Sequence, residues 1–297
     1  MRVDQQSPAP GEVCVVSGHR GMRVLLALLA LAFLSPALAD TPGAYLGELT
    51  WPEAERRIGE APLVIVPFAA GAKEHGPHLP MNADQVVMEH LVQAAVEARP
   101  VLVAPPVLHG WFPAFRGWPG TEVSDPDVFA DYVRAVADSL VDQGAQRLVF
   151  LNTGISRATG LPLSIVARDI RANSGVPTLV VSWDDIETEE AGAIAEQEKG
   201  GHADEIETSI NLCLQPERVH MDRAVKDYGR ADAPKEYGGY RPGLFSRDPD
   251  DPKYSETGVF GDATLATAEK GCRVLEMMTA EWLKSLDGFA ESPIRSR

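Results

Sequence analysis

The sequence predicts an α/β domain in which a mainly parallel sheet is covered by helices on both sides. Short apolar runs at Leu63–Phe68, 101–107, Leu148–Asn152 and 178–183 are continuous rather than alternating, as strands buried on both faces require. Between them lie amphipathic stretches of helical length at 84–98, 127–143 and 158–172. Strand and helix in alternation is the pattern of parallel strands joined by crossover helices. The third observation is size: 297 residues with 44% hydrophobic content are enough to cover such a sheet in one domain.

Taken in order, the chain opens with a segment that is not expected to join the fold. Met22 and Arg23 precede an apolar run at 24–34, followed by Ser35 to Ala39 and then Asp40. That is the charged, apolar and small-residue order of a secretory signal, with translation starting at Met22 and cleavage after Ala39. Residues 1–21 read as an upstream extension. The apolar run is shorter than the ~20 residues a membrane span needs, so the expected mature protein is exported, periplasmic or secreted. It comprises residues 40–297 as a single domain.

Beyond residue 183 the pattern changes. Segments 187–199 and 202–214 read as helices, the second with Ile206, Ile210 and Cys213 as its core stripe. Residues 216–262 are rich in Pro, Gly, Asp and Tyr and show little periodicity, which fits a lid or a subunit-contact arm. A long helix at 263–286 closes the domain. Cys14 lies upstream of the signal; Cys213 and Cys272 are expected as free core thiols, with a disulfide as the alternative in an oxidising compartment.

The net charge is −16 and the pI about 4.8. So acidic a chain lacks the electrostatic footprint of a nucleic-acid binder and is repelled by anionic lipid, which leaves small molecules as partners. The chemistry concentrates in Lys73-Glu-His-Gly-Pro-His-Leu-Pro-Met-Asn-Ala-Asp84, directly after the first apolar run. Two carboxylates and two imidazoles in a loop stiffened by Gly and Pro are donors suited to Zn²⁺, Mn²⁺ or Fe²⁺. The loop also leaves its strand at the carboxyl end, where sites of parallel sheets gather.

Six segments in order carry a resemblance. They are Gly47-Glu-Leu-Thr-Trp51, His75-Gly-Pro-His-Leu-Pro80 with Asp84, Phe115-Arg-Gly-Trp-Pro-Gly-Thr121, Val181-Ser-Trp-Asp-Asp185, His202-Ala-Asp-Glu-Ile-Glu-Thr-Ser209 and Gly258-Val-Phe-Gly-Asp262. Together they resemble the creatininase (creatinine amidohydrolase) family over nearly all of the mature chain. The resemblance implies a three-layer α/β/α sandwich, a homo-oligomer that is usually a hexamer, and a centre of one or two Zn²⁺ or Mn²⁺ ions. The implied activity is hydrolysis of a C–N bond in a small cyclic amide or formamide by metal-activated water.

Carried over residue by residue, the family's first-loop histidine falls on His75 and its bridging aspartate on Asp84. The family's glutamate lies two before that histidine, where this chain has Lys73; Glu74 is adjacent to His75 and joins the same ion only through a bulge. The resemblance therefore assigns Glu74, His75 and Asp84 to metal. After the third strand the chain reads Asn152-Thr-Gly-Ile-Ser156, with Gly154 in place of the family's metal histidine. His202 and Glu205, spaced i, i+3 on the expected helix, are the candidates to help hold a second ion. His202 and Glu207 match positions associated with catalysis, His202 as the acid for the departing nitrogen, and Asp204 replaces a glycine. Trp118, Trp183 and His78 are the substrate-side candidates, with support behind the ligands as the alternative for His78. The changed third strand keeps a second function class open: a catalytically degenerate metal- or ligand-binding oligomer.

Overall fold

The computed structural model describes residues 42–154, 156–229, 246–250 and 254–293; the signal segment and cleavage site lie outside them. Ten α-helices and strands of the described residues lie between Ala44 and Ile186: β1 (Ala44–Tyr45), α1 (Trp51–Glu60), β2 (Leu63–Phe68), α2 (Ala83–Ala98), β3 (Val101–Val103), α3 (Pro126–Asp142), β4 (Leu148–Asn152), α4 (Ser156–Ser174), β5 (Thr178–Ser182) and the short α5 (Trp183–Ile186). There follow α6 (Glu189–Gly192), α7 (Glu205–Leu214), β6 (Lys226–Asp227), β7 (Gly261–Asp262) and α8 (Ala268–Glu291).

The main sheet runs β1-β3-β2-β4-β5 and every pairing in it is parallel. From β2 the chain crosses outward to β3 on one side, and from β4 to β5 on the other, so the winding reverses between β2 and β4. Their carboxyl ends, Phe68 and Asn152, are register partners. A crevice outside the strand ends is built into such a reversal.

Side chains of β2 alternate between two cores. Leu63 and Ile65 face Leu91 and Val92 of α2, Ile206 and Ile210 of α7, and Val274, Met278 and Trp282 of α8. Val64, Val66 and Phe68 face Ile58 of α1, Phe129 and Val133 of α3, and Leu163 and Val166 of α4. Two fully buried faces between helical layers make the three-layer α/β/α sandwich, and explain the unbroken apolar runs. Trp282 Nε1 donates to the Leu91 carbonyl at 2.9 Å, tying α8 to α2.

Several boundaries differ from the sequence expectation. The run at 101–107 is a strand only to Val103, because Pro105 and Pro106 have no amide to continue the ladder; a bridge from Val107 to Phe68 resumes it. Segment 187–199 is not one helix. Thr188 caps a new short helix by accepting from Ala191 N at 3.1 Å, and past Gly192 the amides of Glu196 and Gln197 turn to the Glu205 carboxylate at 2.8 and 2.7 Å. Helix α7 starts at Glu205, not at 202, since Asp204 caps it by accepting from the amides of Ile206 and Glu207. His202 and Glu205 therefore do not share a helix face. Of the excursion at 216–262, the described part holds two short turns and the strands β6 and β7, which pair antiparallel with each other.

Cys213 and Cys272 form a disulfide between α7 and α8, with Cα atoms 5.3 Å apart, which corrects the expectation of free thiols. Both sites carry the helical spacing of core residues, and that two helices pack at this point is a tertiary fact that spacing does not encode. The bond closes a 59-residue separation. The chain-entropy account puts its contribution at roughly 4 kcal/mol. Cys272→Ser is expected to lower the melting temperature to the value wild type shows under reductant; a wild-type melting curve insensitive to reductant would contradict the bond.

Candidate active site

The loop after β2 is held over the sheet end by backbone bonds from Gly71 N to Leu108 O, 2.9 Å, and from Lys73 N to Met81 O, 3.0 Å. Gly76, at a φ of 68°, lets the chain turn where a side chain would meet Val259 and the His78 ring. Asp84 lies in the first turn of α2 rather than at its cap, which is Asn82. Thr153, just past β4, donates to the Asp84 carbonyl at 2.9 Å. On the far side, Ala203 has a φ of 47°, the one positive non-glycine value among the described residues. This strained turn ends in the Asp204 cap and swings His202 back toward the loop.

Three side chains converge. Donor atoms of His75, His202 and Glu207 lie within 4.8 Å of one another. Each imidazole is oriented from behind. His75 Nδ1 is 2.9 Å from the Lys73 carbonyl and its Nε2 3.0 Å from Asp84 Oδ1, so both ring nitrogens face groups that accept. His202 Nε2 lies 3.1 Å from Glu74 Oε2, and its Nδ1 3.8 Å from Glu207 Oε2. The rings of His75 and His202 are 5.1 Å apart, and Phe115 covers His202 at 4.5 Å. Glu207 also accepts from Ala203 N at 2.6 Å.

The electrostatics follow from burial and neighbours. Burial pushes the Glu207 carboxyl up to about 7, with Asp204 and Asp84 adding to the rise against the pull of His202 and Lys73; the side chain nonetheless keeps 22% of its surface exposed. For Asp84, burial alone would raise the pKa, but Lys73 and His75 hold it well below the usual carboxylate range. Glu74 is likewise held low against burial, by His202 and by the Gly76 amide. The Gly258 backbone packs so closely on the Glu74 carboxylate that a Cβ there would overlap it. That close approach gives the 258–262 segment its place in the site, as do the paired backbone bonds between His202 and Phe260.

The arrangement redistributes the residues singled out from sequence. His75, His202 and Glu207 come together. Asp84 adjoins His75 Nε2 at 3.0 Å, but its other oxygen is 2.7 Å from Lys73 Nζ. Glu74 turns to His202 and stands behind the converging set. Glu205 is fully buried elsewhere: Lys270 Nζ lies 2.6 Å from Oε1, and Oε2 takes the two amides of the preceding loop. It fastens that loop rather than facing the crevice. Trp118 packs partly buried beside Phe115, with Arg247 5.4 Å from its ring, whereas Trp183 packs against the α2/α8 core. Lys73, Phe112 and Phe115 were not among the sequence candidates; an ammonium inside a metal-ligand loop was the available signal for the first.

His78 is buried behind the set, its Nε2 2.8 Å from Thr208 Oγ1 and its Nδ1 without a hydrogen-bond partner. Burial, with the charges of His75 and His202, depresses its pKa to about 4. Between that value and the unfolded value of about 6.5 the unfolded chain binds the extra proton, so stability falls as pH drops through this window. The loss is at most about 3 kcal/mol at ~1.4 kcal/mol per unit. When pH falls from 7 to 4.5, denaturant unfolding is expected to show His78→Gln losing less stability than wild type, or gaining some, because the His78 contribution is gone and that of Glu207 remains. An equal difference would refute it. The comparison between variants is needed because the raised Glu207 acts with opposite sign.

Two imidazoles and a carboxylate, the carboxylate side chain 22% exposed, are a donor set that fits a single zinc or manganese ion. A pair of ions bridged by Asp84 does not fit. The bridging carboxylate already faces an ammonium at 2.7 Å, and Thr153 and Gly154 bring no imidazole from the end of β4.

Comparison with known proteins agrees with the fold. The creatininase sequence profile, described as creatinine amidohydrolase, matches residues 47–286. The chain is 27% identical over 254 residues to 3-dehydro-scyllo-inosose hydrolase of Thermotoga maritima, covering 80% of each chain. It is 26% identical over 250 residues to the creatinine amidohydrolase of Pseudomonas putida, covering 78% of this chain and 92% of that one. Among solved structures, a manganese creatininase superposes with a TM-score of 0.67 at 23% identity, over 84% of this chain and 100% of that one. A mutant creatininase of Zn-Zn type gives 0.69 at 23% identity, over 84% and 98%.

Proposed function

The chain belongs to the creatininase family, and from that premise we propose that it is an exported amidohydrolase, cleaving a C–N bond in a small cyclic amide or formamide. The observation that carries the reading is the convergence of His75, His202 and Glu207 on one point at the switch of the sheet. These three would hold one zinc or manganese ion, which when bound supplies an activated water and a counter-charge for the developing oxyanion.

The chain's own residues divide the remaining work. The Lys73 carbonyl holds His75 Nδ1 and Glu74 holds His202 Nε2, which leaves His202 Nδ1 3.8 Å from Glu207. Glu207 is a ligand in this reading: burial raises its proton affinity in the empty site, and a dication beside it would lower that affinity again and keep the carboxylate charged. This reading exchanges the sequence roles of Glu74 and His202: the carboxylate orients and the imidazole binds. Phe115 shields His202 from water on one face, and Trp118 beside it offers a flat substrate ring a surface to lie on.

Export rests on the signal-like segment before Asp40 and is supported by the Cys213–Cys272 bond, which persists in oxidising compartments. No described helix is long and apolar enough to cross a membrane. Assembly into a homo-oligomer is supported by Val128 and Tyr132 of α3 and Leu161 and Ile165 of α4, exposed on neighbouring helices. A second reading, a ligand-binding scaffold without turnover, is favoured by Lys73 and Gly154 in place of metal donors. Turnover of a panel of lactams, formamides and creatinine, with and without chelator, separates the two. Chelator-sensitive hydrolysis supports the enzyme, and ligand binding with no hydrolysis refutes it.

A further inference from the structure

We propose that the Lys73 ammonium permanently occupies the place of one of the two cations in the family centre, leaving room for one exchangeable metal ion at most. Two departures from the family pattern meet at one spot. Lys73 stands where the family has a glutamate, and its Nζ lies 2.7 Å from Asp84 Oδ2 with the side chain only 2% exposed. Gly154 stands where the family has an imidazole. The space above it is filled, since a Cβ on Gly154 would meet the Phe112 ring at 3.2 Å. That same ring, with Phe115, faces the ammonium at 6.0 and 5.3 Å.

Simple loss of a ligand would leave a polar gap. Here the gap is closed by an aromatic wall, and a positive charge is supplied to the carboxylate that would otherwise bridge two ions. A buried Asp84 without a cation would be expensive; with Lys73 it has one that cannot dissociate. A dication brought to the same oxygen would meet a like charge in a poorly screened interior. Asp84 thus becomes the counter-ion of Lys73 and a positioning residue for His75, 3.0 Å from its Nε2. His75 also belongs to the cluster with His202 and Glu207, whose donor atoms lie within 4.8 Å of one another, and that cluster is where one ion would bind.

The test is metal stoichiometry, which does not depend on finding a substrate. Wild type and Lys73→Glu are stripped with chelator, reloaded with Mn²⁺, desalted and measured for metal per chain, with circular dichroism to verify folding. Wild type is expected to retain one ion and Lys73→Glu to take up more than wild type at the same Mn²⁺ concentration. Two ions per wild-type chain overturn the inference. So does a folded Lys73→Glu with unchanged uptake, because the ammonium would then not be what excludes the second ion. If that variant does not fold, the wild-type count decides alone. Retention of no ion at all leaves Lys73 as the sole cation and supports the inference, while refuting the metal in the proposed hydrolase; the two failures are therefore distinct.

Discussion

His75→Ala is expected to remove bound metal and turnover together. Metal-assisted charge stabilisation contributes several kcal/mol at the transition state, and at about 1.4 kcal/mol per decade the loss in kcat/KM is on the order of 10³-fold or more. The informative comparison is Glu74→Gln. If Glu74 orients His202 across 3.1 Å rather than binding the ion, its amide keeps a hydrogen bond to the ring, and the loss is roughly 10–100-fold with metal largely retained. The sequence alone assigns both residues to the ion, Glu74 through a bulge. Metal content and kcat/KM measured on both variants distinguish the arrangements: equal collapse of the two refutes the orienting role of Glu74, and a metal-free His75→Ala with full activity refutes the whole scheme.

The fold was legible because its physics is local. Strands buried on both faces must be continuous apolar runs, and β2 and β4 begin and end where those runs do. The helices of the layers showed their stripes. The first-loop residues were legible as chemistry, since imidazoles and carboxylates at such density have little other use. What escaped was direction. Whether Glu74 and His75 aim at one point depends on a turn at Gly76 and on the Gly258 backbone pressing on the carboxylate from 184 residues further along the chain. Periodicity placed His202 inside a helix, whereas the Ala203 turn and the Asp204 cap put it before one. Asp204 in place of a glycine read as a departure; in the fold it is the residue that ends the strained turn. Glu205 shows the converse limit. A carboxylate in a catalytic-looking motif is spent on Lys270 and two loop amides, and only tertiary structure brings those together.

The largest effect on stability is expected from splitting the Lys73–Asp84 pair. Both side chains are almost wholly buried and their charged atoms are 2.7 Å apart, so removing either partner strands the other's charge in the interior. Lys73→Met, which preserves the stem packed near Phe112 and Phe115, is expected to cost about 3–5 kcal/mol, and Asp84→Asn a similar amount. The double variant removes both charges and leaves no orphan, so its cost should fall well below the sum of the singles, a coupling seen only between groups in contact. Urea unfolding of the four proteins, metal-free in chelator, gives the cycle directly. Additive losses would mean that Lys73 and Asp84 do not compensate each other, and the ammonium could then not be standing in for a cation. Strong coupling in metal-free protein would place the counter-charge of Asp84 in the chain itself.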